Sequence, residues 1–241
     1  MRRFLFFVFL LSLLGPLSAQ YNPSASLAQQ YGNFIVNAAT QFNKVVLADF
    51  IAAGVENRFQ NNYWLAGGVT NYFEYTLSAG YQFNFDYLGQ ELHARWKDTS
   101  IIVDSRSVKR FYLDKGNDRH YFVKNLEIDG KGKYFFESLA YDEAVKDSSK
   151  FQLLKLRLVK RIRANKNDYL ANFSGDYSDT FNSEYTYYLL LPDHTYTKIK
   201  LNRKSFQGAL VKYKDQTETV LTASPAEYDE ATAAAIVRKF N

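Results

Sequence analysis

The side chains best suited to metal ligation or to proton transfer near neutral pH are His93, His120 and His194, and they stand far apart in the chain. No HExxH or comparable close pair joins them, so their spacing supports no metal centre. There is no cysteine. That excludes disulfides, thiolate ligands, a cysteine nucleophile and a lipoprotein anchor. No GxSxG turn presents a serine nucleophile. Lys131-Gly132-Lys133 places a glycine between two cations. A P-loop, however, needs four residues between its glycines and then Lys-Ser or Lys-Thr, so a glycine-bearing hairpin turn is the simpler explanation. Asp168, Asp176, Asp179 and Glu184 are loop carboxylates without the spacing of an EF-hand. The expectation is therefore no catalytic residue, no metal and no cofactor.

Two other groups of residues carry binding chemistry. The densest charge is Lys155, Arg157, Lys160, Arg161, Arg163 and Lys166. In a strand, Lys155, Arg157, Arg161 and Arg163 share one face with Val159, while Leu154, Leu156, Leu158 and Ile162 occupy the other. A solvated sheet face explains that alternation. Its functional counterpart is contact with anionic envelope material, such as lipid headgroups or acidic glycans. The second group is aromatic. The chain holds 19 tyrosines and 20 phenylalanines, which suit half-buried pleated surfaces as well as binding faces. Alternation selects Phe83, Phe85, Tyr185 and Tyr187 as candidate lining residues for an apolar or lipid-like ligand.

The elements that must position these groups are mostly strands. Residues 24–42 read as a helix, opened by Asn22-Pro23, with Leu27, Tyr31, Phe34, Ile35, Ala38 and Phe42 on one stripe. Residues 44–62 keep neither period. From Trp64 the period becomes two. Tyr81, Phe83, Phe85 and Tyr87 alternate with Gln82, Asn84 and Asp86, which predicts a strand wet on the second face. Leu92, Ala94 and Trp96 then alternate with Glu91, His93 and Arg95. Further strands are predicted at 101–103, 108–113, 120–126, 133–141, 152–163, 184–191 and 196–201. Short closely spaced strands pair antiparallel, because parallel pairing needs long crossovers. Residues 164–182 read as a long polar loop. Asn202 opens a short helix carrying Phe206, Ala209, Leu210 and Tyr213. Ser224-Pro225-Ala226-Glu227 reads as a capping box for a last helix with Tyr228, Thr232, Ala235, Ile236 and Phe240 on one side.

The first residues give the chain an address. Arg2 and Arg3 precede an apolar run from Phe4 to Leu14, which Gly15 and Pro16 end. This is the pattern of a secretory signal peptide, with cleavage after Ala19. The run is too short for a membrane span, which needs about 20 apolar residues. The expected organisation is a signal peptide over 1–19 and one β-rich domain over 20–241, ending in a helical segment from about 202. The whole chain has 30 basic and 25 acidic residues, two of the basic ones in the leader. So mild and dispersed an excess is not the footprint of a nucleic-acid binder. No later segment reads as a transmembrane helix.

The run from Trp64 to Trp96 (LAGGVTNYFEYTL and YQFNFDYLGQELHARW within it) and the segment SEYTYYLLLPDHTYTKIKLNRKSFQGAL at 183–210 resemble a group of secreted proteins of Bacteroidota. Trp64, Gly67 and Val69 match that group's Trp-x-x-Gly-x-Val opening with a one-residue shift. Lys204-Ser205 and Leu210 match its helix near the C-terminus. The resemblance implies a periplasmic or secreted location and supplies no activity. The expected fold is mainly β: a bent antiparallel sheet or half-open barrel of short strands, with an N-terminal helix and C-terminal helices. The expected function is non-enzymatic. It is a binding or structural role in the envelope, with lipid or another envelope protein as partner and no nucleic acid. A small outer-membrane β-barrel and an enzyme of unspecified chemistry are the alternatives.

Overall fold

The computed structural model describes residues 57–96, 99–140, 150–163 and 179–241. The leader, the helix expected at 24–42 and the stretch 164–178 lie outside the described residues. The fold is mainly β, as expected. Eight strands form one antiparallel sheet: β1 (Ala66–Asn71), β2 (Thr76–Leu77), β6 (Val108–Lys115), β7 (Asp118–Val123), β8 (Phe136–Ser138), β9 (Gln152–Ile162), β10 (Thr180–Leu190) and β11 (Tyr196–Ile199). Their spatial order is β11-β10-β9-β8-β7-β6-β1-β2. β2 and β11 are its edges, so among the described residues the sheet is open rather than closed into a barrel. A second sheet holds β3 (Tyr81–Asp86), β4 (Glu91–Trp96) and β5 (Thr99–Ile102) in sequence order.

Local chemistry sets the pairings. β6 and β7 meet with Lys115 opposite Asp118. That leaves the two-residue turn Gly116-Asn117, and Gly116 sits at φ +65°, a left-handed geometry that glycine adopts without a Cβ clash. β1 lies tight against β6 because two of its residues lack side chains. A Cβ on Gly67 would stand 2.3 Å from the Tyr112 carbonyl oxygen, and one on Gly68 would stand 2.7 Å from the Tyr112 ring.

The first face of the large sheet is covered by two different layers. Over β6 and β7 lies the small sheet. Phe85 from β3 packs 5.2 Å from Phe111 and 5.5 Å from Phe122, and those two rings stack at 4.6 Å. Over β9, β10 and β11 lie three helices, α2 (Arg203–Ala209), α3 (Lys214–Thr222) and α4 (Glu230–Arg238); a short helix, α1 (Leu126–Asp129), precedes them in the chain. Phe206, Leu221, Ile236 and Val237 from these helices share a core with Phe151, Leu153, Leu189 and Ile199. On the second face, Ile128 and Tyr134 pack against Phe136, Leu154 and Leu156, so the 124–135 segment crosses that side.

Four expectations need correction. The second face of β3 is wet only at Gln82. Asn84 is 1% exposed and Asp86 is fully buried, because the preceding segment lies along them: Phe59 bridges to Asp86, Leu65 bridges to Phe83, and Asn84 Nδ2 donates to the Asn61 carbonyl at 2.8 Å. Strand pairing does not begin at 133. The Tyr134 amide donates to Asp129 and the Phe135 amide to Gln90 Oε1, so neither is available to a sheet partner. The polar stretch ends sooner than expected, since Thr180–Asn182 already pair with Ile162–Lys160. Ser224 does not cap the last helix. Its hydroxyl meets the Leu221 carbonyl at the end of α3 and the Tyr228 hydroxyl, and Asp229 caps α4 by accepting from the Thr232 amide.

Candidate functional site

Strand register brings two of the predicted groups together. Tyr187 stands opposite Lys155, and Tyr185 opposite Arg157. Lys155 is also opposite Glu137 on β8. All five project from the first face, in the seam between the small sheet and the helices. Lys155 Nζ lies 2.9 Å from Glu230 at the start of α4 and 3.3 Å from Glu137. His120 Nδ1 lies 2.6 Å from the other Glu137 oxygen, and the Tyr187 hydroxyl donates to Glu230 at 2.7 Å. The result is one continuous chain: His120, Glu137, Lys155, Glu230, Tyr187. Beside it, Arg157 donates to Ser183 Oγ and to the Asn57 carbonyl, and its guanidinium covers the Tyr87 ring at 4.3 Å. Tyr185 completes the seam, with Lys155 5.3 Å and Arg157 5.9 Å from its ring centre.

The electrostatics of the seam hold Glu137 and Lys155 in their charged forms. Burial pushes the Glu137 carboxyl up, but His120 and Lys155 together outweigh it and hold the group below its ordinary value. Burial pushes Lys155 down, yet Glu137 and Glu230 outweigh it and the amine is raised. Burial and the Glu230 carboxylate raise the Tyr187 phenol well above its usual range. Each of these groups moves away from neutrality, whereas general acid–base chemistry works best with a pKa near the working pH.

The other predicted residues lie elsewhere. Phe83 and Phe85 are fully buried, with 0% exposure. A ring lining a ligand cavity keeps accessible surface, so the reading of these two as lining residues is corrected: they are filled core. The expected solvated basic face is also only half right. Lys155 and Arg157 are inside the seam with partners, and so are not placed to contact an anionic surface. Arg161 and Arg163 lie beyond it near the end of β9 and are exposed, with Arg161 paired to Asp179. The histidines do not converge. His93 lies by Glu91, and His194 lies 3.8 Å from Glu127. The donor atoms of Asp86, Glu91 and His93 fall within 4.8 Å of one another. Asp86, however, already holds the Arg58 guanidinium at 2.5 Å and the Leu88 amide at 2.9 Å. A cation there would face that guanidinium, so the trio reads as a charge-paired turn. In the Lys131-Gly132-Lys133 turn, Asp129 accepts the amides of Lys131, Gly132 and Tyr134, the groups a phosphate would need.

Sequence reasoning missed a second site, at the end of the β1–β2 hairpin. A cleft of about 900 Å³ runs between this hairpin and the 124–135 segment, lined by Tyr72, Glu74, Lys109, Arg110, Lys124 and Leu126 among others. A neighbouring hollow of about 380 Å³ shares Tyr72, Lys124 and Leu126 and adds Arg106, Lys131 and Lys133. Glu74 pairs with both Lys109 and Arg110, which hold its carboxyl down at about 2. Burial lowers the pKa of Lys124, whose amine donates to the Ser105 carbonyl. The usable signal in the sequence was NYFEY: three aromatic residues in five, with no alternation to bury them. Comparison with known families, curated proteins and solved structures gives no match.

Proposed function

We propose that this protein is an exported, non-enzymatic component of the cell envelope that binds an anionic ligand in the cleft beside the β1–β2 hairpin. The observation that carries the reading is the lining of the two joined hollows. Six cations, Arg106, Lys109, Arg110, Lys124, Lys131 and Lys133, stand against three carboxylates, Glu74, Glu91 and Glu127, with Tyr72 and Leu126 between them. Glu74 is spent on Lys109 and Arg110, and Arg106 pairs with Asp104. Lys124, Lys131 and Lys133 then supply the attraction. A partly desolvated amine such as Lys124 gains most from an incoming negative charge, because water screens it least. The size suits a small ligand, since such pockets are typically about 300–1,000 Å³. The secretory signal pattern supports the exported address. In the seam Glu137, Lys155 and Tyr187 each shift away from neutrality, which supports a non-enzymatic role.

Thermal shift of the mature protein tests this. Glycerol phosphate and short uronic-acid oligosaccharides are the anionic probes, and neutral oligosaccharides of equal length are the controls. The anionic probes should raise the melting temperature, salt should suppress the effect, and Lys131→Glu with Lys133→Glu should remove it. A response to neutral sugars alone, or an unchanged response in the double variant, rejects the cleft as an anion site. The two anionic probes separate a headgroup phosphate from a glycan carboxylate.

A further inference from the structure

The tip of the β1–β2 hairpin carries an apolar group that the fold does not use. Phe73 is 78% exposed, and Tyr72 and Tyr75 on either side are 49% and 45% exposed. Leu126, which lines the same cleft as Tyr72, is 58% exposed. A lone exposed apolar residue is ordinary, whereas a contiguous exposed apolar patch rimmed by charge marks an interaction site.

The tip is also built to stay in place. Asn71, itself only 5% exposed, accepts the amides of Phe73 and Tyr75 at 2.8 and 3.0 Å. Its own amide donates to the Tyr75 carbonyl at 3.0 Å. Glu74 occupies φ +64°, a left-handed conformation that a side-chain-bearing residue adopts only when its surroundings impose it. Here the turn closes through its backbone, with the Glu74 amide donating to the Asn71 carbonyl at 3.1 Å, and Lys109 and Arg110 on β6 hold the carboxylate. A turn held by a buried asparagine and two ion pairs keeps Phe73 projecting rather than folded back. An ordered apolar tip loses less freedom on binding than a floppy one.

We propose that this hairpin tip inserts Phe73 into the surface of an anionic lipid bilayer, with Tyr72 and Tyr75 at headgroup level and Lys124, Lys131 and Lys133 on the phosphates. Tyrosine suits that level, because its ring is apolar and its hydroxyl is wet. Phenylalanine has no such polar end and gains only where water is left behind. A convex apolar tip beside cations matches a negatively charged bilayer, which attracts basic residues from outside and accepts an apolar wedge. A soluble glycan would meet flat rings in a hollow, not a projecting phenylalanine. The proposal shares its lysines with the cleft reading and goes beyond it in naming a bilayer surface and an inserting side chain, Phe73.

The test is sedimentation of the mature protein with vesicles of phosphatidylcholine, with and without phosphatidylglycerol. Binding is expected to the anionic vesicles, weakened by salt. Phe73→Ser should lower the partition coefficient by about tenfold or more, the change that losing one buried aromatic ring implies. Its melting temperature and its thermal shift with soluble anions should stay as in the parent. Phe73→Trp should gain blue-shifted emission on vesicles, above the background of Trp64 and Trp96, and bromine on the lipid chains should quench that gain. Unchanged sedimentation of Phe73→Ser, emission from the Phe73→Trp variant that stays water-like, or capture by soluble acidic glycan with no binding to vesicles would each overturn the insertion. If soluble anions shift the parent but vesicles do not bind it, the cleft reading stands and the insertion falls.

Discussion

The seam and the hairpin tip are built from the same residue types and end in opposite states. Both combine tyrosine, lysine, arginine and glutamate. In the seam Lys155 is only 14% exposed at its side chain and lies between two carboxylates. At the tip Phe73 is 78% exposed. What differs is position along the strand. Mid-strand residues face cross-strand partners on both sides, and here a cover of sheet or helix lies above them. Those partners consume their hydrogen bonds and charges. Residues at a turn have neighbours on one side only. Chemistry that resembles a binding site in a list of residues becomes a structural clamp in the middle of a sheet and stays open at its end.

The largest expected contrast uses two phenylalanines. Phe85→Ala removes a fully buried ring that touches Phe111, Phe122 and Phe135, and it should cost about 3–5 kcal/mol in urea melts. Phe73→Ala at the tip should change stability by less than about 0.5 kcal/mol. Similar losses at both would mean that the tip belongs to the core, and the comparison would collapse.

How far these regions are legible in the sequence follows from the same distinction. Alternation found β3 and the aromatic face of Tyr81, Phe83, Phe85 and Tyr87, because a period of two is a local property. It also placed Lys155, Arg157, Arg161 and Val159 on one side of β9. It could not say which side would be covered. Asn84 looked like a solvent residue because its burial comes from residues 59–65, which have no clear period. The meeting of Lys155 with Glu230 spans 75 residues and depends on where α4 docks, and no local pattern carries that information. The tip was hidden for a different reason. Exposed aromatics have the same letters as buried ones, and only the Asn71 turn and the left-handed Glu74 separate them.

The next effect lies within the seam. Lys155→Met leaves Glu137 buried beside His120 alone, and should cost about 3 kcal/mol, the low end for removing one partner of a buried ion pair. Adding Glu137→Met should recover much of the loss, since an apolar pair of similar volume leaves no buried charge unpaired. The pH profile adds the sign. The Glu137 pKa is lowered in the fold from an ordinary 4.5. Its contribution is therefore present above pH 4.5 and is lost as pH falls through the depressed folded value. Lys155 is raised from 10.5, so its contribution is full below pH 10.5 and fades as pH rises through the raised folded value. In Lys155→Met the acid limb should move to higher pH, because burial then acts on Glu137 with one cation fewer. An acid limb that does not move would show that His120 alone sustains the carboxylate.

The smallest effect probes the turn. Glu74 combines an unfavourable backbone with two favourable contacts, so its substitutions separate the two. Glycine would relieve the left-handed φ of +64°, a conformation that costs a residue with a side chain about 1–2 kcal/mol. It would also lose the pairs to Lys109 and Arg110. The Glu74 side chain is 51% exposed, and exposed ion pairs contribute only about 0–1 kcal/mol each. The terms nearly cancel, so Glu74→Gly should shift stability by less than about 0.5 kcal/mol. Glu74→Ala keeps the strained backbone and loses the pairs, so it should be the less stable of the two, by about 1 kcal/mol. In high salt the difference between the parent and Glu74→Ala should shrink, because salt screens the ion pairs and leaves the backbone cost untouched. Urea melts of the three proteins in low and high salt decide the matter. Should Glu74→Gly lose about 2 kcal/mol or more, as buried clusters do, the hairpin would be coupled to the core. The tip would then be a structural element like the seam.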